Sequence, residues 1–420
     1  MIRKASAIGV LLVLSACNLP FGPGQTPQGE ATPVPAEPAA ATEVNQAGVE
    51  LPTEVGEPNQ VLPGDGIVHF VPGQLFIVTY IQMVNQNLGW GIGGLESASD
   101  HVLRTGDGGN TWSDVTPPEP APSEGELGKA AVGYFLDSQV GWVVYYRASL
   151  EPTPGRLRVW STQDGGENWT ASQQLELEFL GTTDYPPALG FADAESGWLL
   201  ARNGPAGMHR YPIYLLRTGD GGRNWEVALD PFTGGLQSCH KSGIVFADRL
   251  TGWATVAECP IAAPELAMTS DGGRTWNSVP LPPPEKRPTL FETELCEGHS
   301  PQLLSPTEGA LGVSCSTGLL LNYFYRTEDG GQTWQSTLYP GGTLWLSGPR
   351  TALALGQKIY RTEDGGQTWE HIKTVQWDGQ FSFVNDQVGW AVARTGDAIA
   401  LVTTTDGAAN WYLLKPTVAP

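Results

Sequence analysis

The stretch Thr105-Gly-Asp107-Gly-Gly-Asn-Thr-Trp112 constrains this chain more than any other, because it is written seven times. The other copies begin at Thr162, Thr218, Thr269, Thr327, Thr362 and Thr404. They end at Trp169, Trp225, Trp276, Trp334, Trp369 and Trp411. Each reads Thr-x-Asp-Gly-Gly-x-Thr/Asn-Trp, and only the last relaxes the second glycine, to Ala408. The aspartates are Asp107, Asp164, Asp220, Asp271, Asp329, Asp364 and Asp406, at steps of 57, 56, 51, 58, 35 and 42 residues. A period near 50 with one turn signature per unit predicts a propeller or an array of stacked units.

The chemistry of the repeat is that of a turn. Glycine reaches positive φ without a Cβ penalty, so Asp-Gly-Gly predicts a tight reversal. The Asp carboxylate can accept hydrogen bonds from the N–H groups that follow it, and the preceding Thr can brace the same loop. The tryptophan that ends each copy is suited to burial between packed sheets. A calcium site would need several clustered oxygen ligands, and most copies offer one carboxylate, so the aspartates read as structural.

A second signature precedes the first. Phe135-Leu-Asp-Ser-Gln-Val-Gly-Trp142 recurs as Phe191–Trp198, Phe246–Trp253 and Phe383–Trp390, with a weaker copy at Met83–Trp90. Leu303 to Ala310 takes the same spacing in the fifth unit and Trp345 to Ala352 in the sixth, both without the Gly-Trp tryptophan. Those two units are expected to pack differently. Each unit reads strand, Gly-Trp turn, strand, variable loop, strand, Asp-Gly-Gly turn, strand. The predicted fold is therefore all-β, a seven-bladed propeller of four-stranded antiparallel blades. The stretch Gly66–Val71 is expected to add a strand that helps close the ring.

These residues resemble the Asp-box, or BNR, repeats of sialidases, sortilin-type receptors and xyloglucan hydrolases. The paired Phe-x-Asp and Gly-Trp signature is most similar to the photosystem II stability/assembly factor family, over about residues 75–415. The resemblance implies the propeller fold and a role in scaffolding membrane-protein assembly. The shared residues are scaffold residues, and one fold hosts many functions.

The N-terminus reads as an export signal over residues 1–16. Arg3 and Lys4 precede a short apolar run, and Leu14-Ser-Ala-Cys17 looks like a bacterial lipobox with lipid on Cys17. The run is too short for an ordinary transmembrane helix; secretion without lipid is the alternative. After Cys17, residues 18–60 hold eight prolines, six glutamates and no Lys or Arg, a composition that cannot bury a core. Residues 17–60 are thus expected to form a lipidated, disordered tether, and residues 61–420 the propeller. The expected location is the extracytoplasmic face of a cell membrane, reached through the lipid alone.

Four further cysteines flank Gly-Trp hairpins or their equivalents. Cys239 and Cys259 bracket one in unit four, and Cys296 and Cys315 hold nearly the same places in unit five. Opposite positions on one hairpin suit cross-strand disulfides in an oxidising compartment, so Cys239–Cys259 and Cys296–Cys315 are the expected pairs. A zinc site is the rival, since His240 adjoins Cys239 and Cys296-x-x-His299 is a ligand pair.

In a blade that runs outward from a central channel, both repeated turns share one face and the variable connections share the other. Loops on a rigid scaffold usually carry recognition. The candidate binding residues on that face are Glu124, Glu126, Tyr185, His209, Arg210 and Tyr211, with Glu119, Glu151 and Asp184 among the neighbouring loop acids. An Arg three residues before the turn aspartate, as Arg104, Arg217, Arg326 and Arg361, suggests a blade-to-blade contact.

The formal charge of −21 becomes −23 once Arg3 and Lys4 are removed. Such a domain repels nucleic-acid phosphates and anionic headgroups, so no nucleic acid is expected. The leading expectation is a monomeric binding or assembly module for a protein or glycan of the cell envelope, with no cofactor, metal or catalytic residue assigned. The alternative is a glycoside hydrolase. The Arg-Ile-Pro signature of sialidases is absent, with His209-Arg-Tyr-Pro212 the nearest match, and an opposed carboxylate pair among the loop acids would be needed.

Overall fold

The computed structural model describes residues 66–96, 98–120, 126–149, 155–177, 186–202, 213–230, 240–257, 264–316 and 318–420. They form a seven-bladed β-propeller. Blade 1 comprises Ile77–Met83, Gly89–Gly94, His101–Thr105 and Thr111–Asp114. Blade 2 comprises Glu126–Phe135, Gly141–Ser149, Val159–Thr162 and Thr170–Ala171, and blade 3 Ala188–Phe191, Gly197–Arg202, Ile213–Thr218 and Glu226–Leu229. Blade 4 has His240–Phe246, Gly252–Ala257, Glu265–Thr269 and Asn277–Pro280. In blade 5 the first strand is broken into Leu295–Gly298 and Gln302–Leu303, before Gly309–Ser316, Leu320–Thr327 and Gln335–Tyr339. Blade 6 runs Thr343–Leu346, Ala352–Leu355, Lys358–Thr362 and Glu370–Thr374, and blade 7 Asp378–Phe383, Gly389–Thr395, Ala398–Thr404 and Tyr412–Leu414. A single helical turn, Leu290–Thr293, interrupts the strands before blade 5.

First strands of neighbouring blades touch one another around the centre. Each blade is sandwiched between two others, so middle strands are apolar on both faces: Ala352–Leu355 is buried throughout, and so is Gly89–Gly94. The two repeated turns are tied together in every blade. The first glycine of the Asp-Gly-Gly turn donates its N–H to the carbonyl of the first hairpin's turn, from Gly108 to Asn87 at 2.9 Å through Gly407 to Gln387 at 2.8 Å. Both turns therefore lie on one face, and the connections between blades and between second and third strands lie on the other, as expected.

The Asp-Gly-Gly turn closes by one pattern. In all seven the Thr hydroxyl donates to the Asp carboxylate at 2.8–3.0 Å and accepts the N–H of the second glycine, or of Ala408. Ala408 takes φ of 73°, a value the glycines reach freely.

The Gly-Trp signature holds blades to one another. The glycine is required because the preceding Phe ring lies over it: a Cβ on Gly197 would fall 2.3 Å from Phe191 and one on Gly252 2.5 Å from Phe246. The tryptophan stacks face to face on the Phe of the next blade, with centroids 4.6 Å apart for Trp90–Phe135, 3.5 Å for Trp142–Phe191 and 3.6 Å for Trp198–Phe246. Indole N–H groups cross the same boundaries, from Trp142 to the carbonyl of Gly221 at 2.8 Å and from Trp198 to that of Gly272 at 3.1 Å. Arg361 makes the expected blade-to-blade contact, donating to the carbonyls of Asp386 and Gly407 at 3.0 and 3.4 Å. Arg104, Arg217 and Arg326 lie against Gly165, Gly272 and Gly365 of the next blade's turn.

Blades 5 and 6 are packed by aliphatic groups in place of these stacks, as their sequences foretell. In blade 6, however, the register differs by one residue from the expected one. Leu346 pairs with Ala352 as Phe383 pairs with Gly389, so Leu346 and Leu353 take the Phe and Trp places. Trp345 points to the other side of the strand and packs on Phe383 at 5.3 Å.

Ring closure also departs from expectation. Gly66–Val71 forms no regular strand; Gly66 makes a lone bridge to Pro120, and Ile67 donates to the carbonyl of Glu119. The seam is closed by the other end of the chain. Thr417–Val418 runs parallel to Thr111–Trp112 as a fifth strand of blade 1, and Val418 exchanges hydrogen bonds with Gly73 and Gln74. At the centre, the Gln380 amide bonds both backbone groups of Ile81 at 2.9 Å.

Cys296 and Cys315 sit opposite each other on adjacent strands and are joined as a disulfide. Cys296 is thereby removed as a thiolate ligand, and His299 instead contacts the Ser314 hydroxyl at 2.7 Å. Cys239 and Cys259 lie outside the described residues. Among the described residues, no group of three or more His, Cys, Asp or Glu could hold a metal ion, and no helix is long and apolar enough to cross a membrane.

Candidate functional site

The repeated turns have no spare chemistry. Each aspartate spends one oxygen on the Thr hydroxyl and on the N–H before the tryptophan, and the other on the Thr or Asn side chain there, at 2.6–2.8 Å. Hydrogen bonds from Thr333 and Thr327 hold the Asp329 carboxyl down to about 2, and those from Thr368 and Thr362 do the same for Asp364. These carboxylates are fixed as acceptors of their own loop.

The opposite face carries two buried polar groups. Between blades 1 and 2, Glu119 and Lys129 form a 2.8 Å ion pair, and the Trp160 indole donates to the second Glu119 oxygen at 2.8 Å. In the sequence Glu119 is one of the loop acids after blade 1. It is buried, held by Lys129 and Trp160 of blade 2. On blade 1, Asp114 accepts from the Phe70 N–H and the Thr116 hydroxyl and lies 3.2 Å from His69. His101 sits 2.7 Å from Asp100, with Phe70 stacked on its ring at 3.9 Å. The Asp114 hydrogen bond raises the pKa of His69; the Asp100 contact raises that of His101 against the opposing effect of burial. Together they pin the segment entering the propeller.

The loops also carry structure of their own. Gly155–Leu157 pairs with Leu175–Leu177 in a two-stranded ribbon beside blade 2, and Leu157, Leu175 and Leu177 are buried there. Glu126 opens the first strand of blade 2, opposite Ser149. Glu124, Tyr185, His209, Arg210 and Tyr211 lie outside the described residues.

What the described residues do bring together is a central cavity of about 380 Å³, inside the roughly 300–1,000 Å³ range of ligand pockets. Its walls come mainly from the first strands of blades 1 to 4, with Tyr146 and Leu200 from second strands, Ser300 and Pro301 of blade 5 and Arg394 of blade 7. The lining is mostly apolar, through residues such as Leu189, Pro187 and Ile244, with three tyrosines, Tyr80, Tyr134 and Tyr146. The Tyr80 hydroxyl donates to Gln82 Oε1 at 3.3 Å, and Gln82 in turn bonds the backbone of Phe135 in blade 2. Burial, reinforced by the adjacent Tyr80, pushes the Tyr134 hydroxyl well above the usual tyrosine pKa, so it stays neutral.

Arg394 sits where its strand returns to the variable-loop face, opposite Asp378 at the start of blade 7. Its Nη2 donates to the Thr79 carbonyl at 2.9 Å across the seam. Among the described residues it is the only charged group that lines the cavity. None of Tyr80, Tyr134, Tyr146 or Arg394 was singled out from the sequence. The available signal was weak: strand residues whose side chains face the axis rather than a neighbouring blade.

Fold and cavity together define the chain as a seven-bladed β-propeller with a small, tyrosine-lined axial cavity. No family model matches it, and no curated protein matches it. Among solved structures, the GH74 xyloglucanase from Xanthomonas campestris is similar with a TM-score of 0.51 at 13% identity, over 82% of this chain and 55% of that one. A puromycin-hydrolysing peptidase of Mycobacterium tuberculosis is similar at 0.48 and 12%, over 85% and 57%. The GH93 α-L-arabinofuranosidase of Fusarium graminearum in complex with arabinobiose is similar at 0.42 and 12%, over 71% and 95%. The chain thus spans a little over half the length of the xyloglucanase. At such identities the likeness to the xyloglucanase establishes the propeller fold.

Proposed function

We propose that this chain is a carbohydrate-active propeller that takes a glycan into its axial cavity from the variable-loop face. The observation that carries the reading is the cavity lining. Tyr80, Tyr134 and Tyr146 offer amphipathic rings among apolar walls with a few hydroxyls, a composition suited to a sugar's mixed apolar and hydroxylated surface. A pocket of this size fits a small ligand or a chain end better than a protein face, so the glycan reading stands ahead of the assembly-module reading. The xyloglucanase, by its name a glycan-acting enzyme, supports the reading by analogy of fold alone.

Hydrolysis would need two carboxylates flanking the bond. The loop acids Glu151 and Asp184 lie outside the described residues. The turn motifs keep the chain within the Asp-box resemblance, with the photosystem II assembly factors as the family most alike in signature. The Leu-Ser-Ala-Cys17 lipobox favours export and a lipid on Cys17; labelling with a clickable fatty acid should mark the protein and fail on Cys17→Ser.

The test is calorimetric titration with a panel of neutral and uronate-bearing plant and bacterial oligosaccharides, paired with a reducing-end assay. Binding is expected for one class, weakened about tenfold by Tyr80→Ala or Tyr146→Ala with the unfolding temperature retained. If no oligosaccharide binds a protein that unfolds cooperatively, the reading fails.

A further inference from the structure

The cavity mouth holds a cation in a domain otherwise dominated by acids. The chain carries 44 Asp and Glu against 23 Lys and Arg, and several of its cations are held by acids or carbonyls of the fold. Lys129 is paired with Glu119, Arg249 with Asp193 and Glu195, and Arg361 is spent on two carbonyls. Arg394 differs from these in lining the cavity. Its hydrogen bond is to the Thr79 carbonyl, and it has no carboxylate partner among the described residues. Asp378, opposite it in register, directs its carboxylate to the Gln357 amide at 3.0 Å.

A half-buried guanidinium without a counter-anion is costly to keep unless something else uses it. The Thr79 bond fixes Nη2 across the blade 7 to blade 1 seam and leaves other N–H groups of the planar fork for a ligand at the cavity lip. Such a fork matches a carboxylate with two parallel bonds. Hydroxyl-bearing Ser99 and Thr79 line the cavity as well, 2.8 Å apart through their side-chain oxygens. We infer that Arg394 is a carboxylate-binding subsite at the cavity mouth, and that the glycan taken there is acidic, carrying a uronate next to the unit that enters the tyrosine-lined cavity. The inference rests on the glycan reading above and names its substrate class.

The overall charge narrows the class further. A net charge of −21 repels a polyanion over a Debye length of about 8 Å at physiological salt, while a single short-range bidentate contact is little screened. The fitting ligand is a chain of neutral sugars with isolated uronates, not a polyuronate.

The deciding experiment titrates the propeller with a neutral oligosaccharide bearing one uronate, and with the same oligosaccharide after its carboxyl is reduced to the alcohol. The wild-type protein should prefer the acidic form by roughly ten- to a hundredfold, as for a charged hydrogen-bonded contact. Arg394→Gln should abolish that preference while still binding the reduced form, and Arg394→Lys should restore part of it. Equal binding of both forms by the wild type overturns the carboxylate subsite and leaves the glycan reading standing. Binding of neither form overturns both. The ligand comparison needs no variant, so it holds even if Arg394→Gln unfolds.

Discussion

Each aspartate of the repeated turn gathers its donors from residues no more than four positions away, which is why its role could be read from the sequence. Asp329 takes the Thr327 hydroxyl, the Thr333 N–H and the Thr333 hydroxyl. A carboxylate solvated by fixed donors resists protonation, and Asp329 and Asp364 are lowered to about 2 from 3.8. Because the folded value is the lower one, the contribution is fully present above pH 3.8 and lost as pH falls through about 2. Carboxyl NMR resonances of these two aspartates should titrate near 2, and Asp364→Asn should flatten the acid limb of the stability curve. Titration of both near 3.8 would show that the loop does not use the carboxylate as described. The same locality explains Cys296–Cys315, whose positions flank one hairpin. The cavity was not legible for the opposite reason: Arg394 meets Thr79 across 315 residues of sequence, and a repeat pattern says which residues face inward only once the strand register is fixed.

At the scale of the blade, register is what the sequence signals with least force. In blade 6 both Trp345 and Leu346 are apolar, and a one-residue slip moves every side chain to the other face. The tryptophan signature favours placing Trp345 in the Phe position. The structure places Leu346 there, because the first hairpin must present the Arg350 carbonyl to the Gly365 N–H, four residues after that position as in the other blades. Where the aromatic pair is complete it is the main clasp between blades. Trp142 is buried, stacked at 3.5 Å on Phe191, and bonded to Gly221. Trp142→Ala should cost about 3–5 kcal/mol, and a double-mutant cycle with Phe191→Leu should show coupling of about 0.5–1.5 kcal/mol. Additive effects in denaturant unfolding would mean that the stack is geometry without energy.

For the whole molecule the question is how a ring of seven similar blades finds its closing contact. Six of the interfaces join blades adjacent in sequence, and the seventh joins blade 7 to blade 1. There the Trp390 indole donates to the Gly108 carbonyl at 2.8 Å, Gln380 bridges Ile81, and Ser382 accepts from the Met83 N–H at 2.9 Å. Arg394 spans the same seam, so the proposed carboxylate subsite exists only in the closed ring. The tail completes the closure: the N–H of Val418 donates to Gln74, that of Ala419 to Trp112, and the Val418 side chain is buried. Removing residues 416–420 forfeits these bonds, each about 1 kcal/mol net, and about 1.5–3 kcal/mol of Val418 burial. The expected loss is therefore about 3–6 kcal/mol, read as a lower denaturation midpoint. Hydrogen exchange should quicken first in blades 1 and 7, and ligand binding should weaken in parallel, because the same opening separates Arg394 from Thr79. Unchanged exchange at the seam with an unchanged midpoint would place closure in the central Gln380 and Trp390 contacts alone, with the tail as decoration on blade 1.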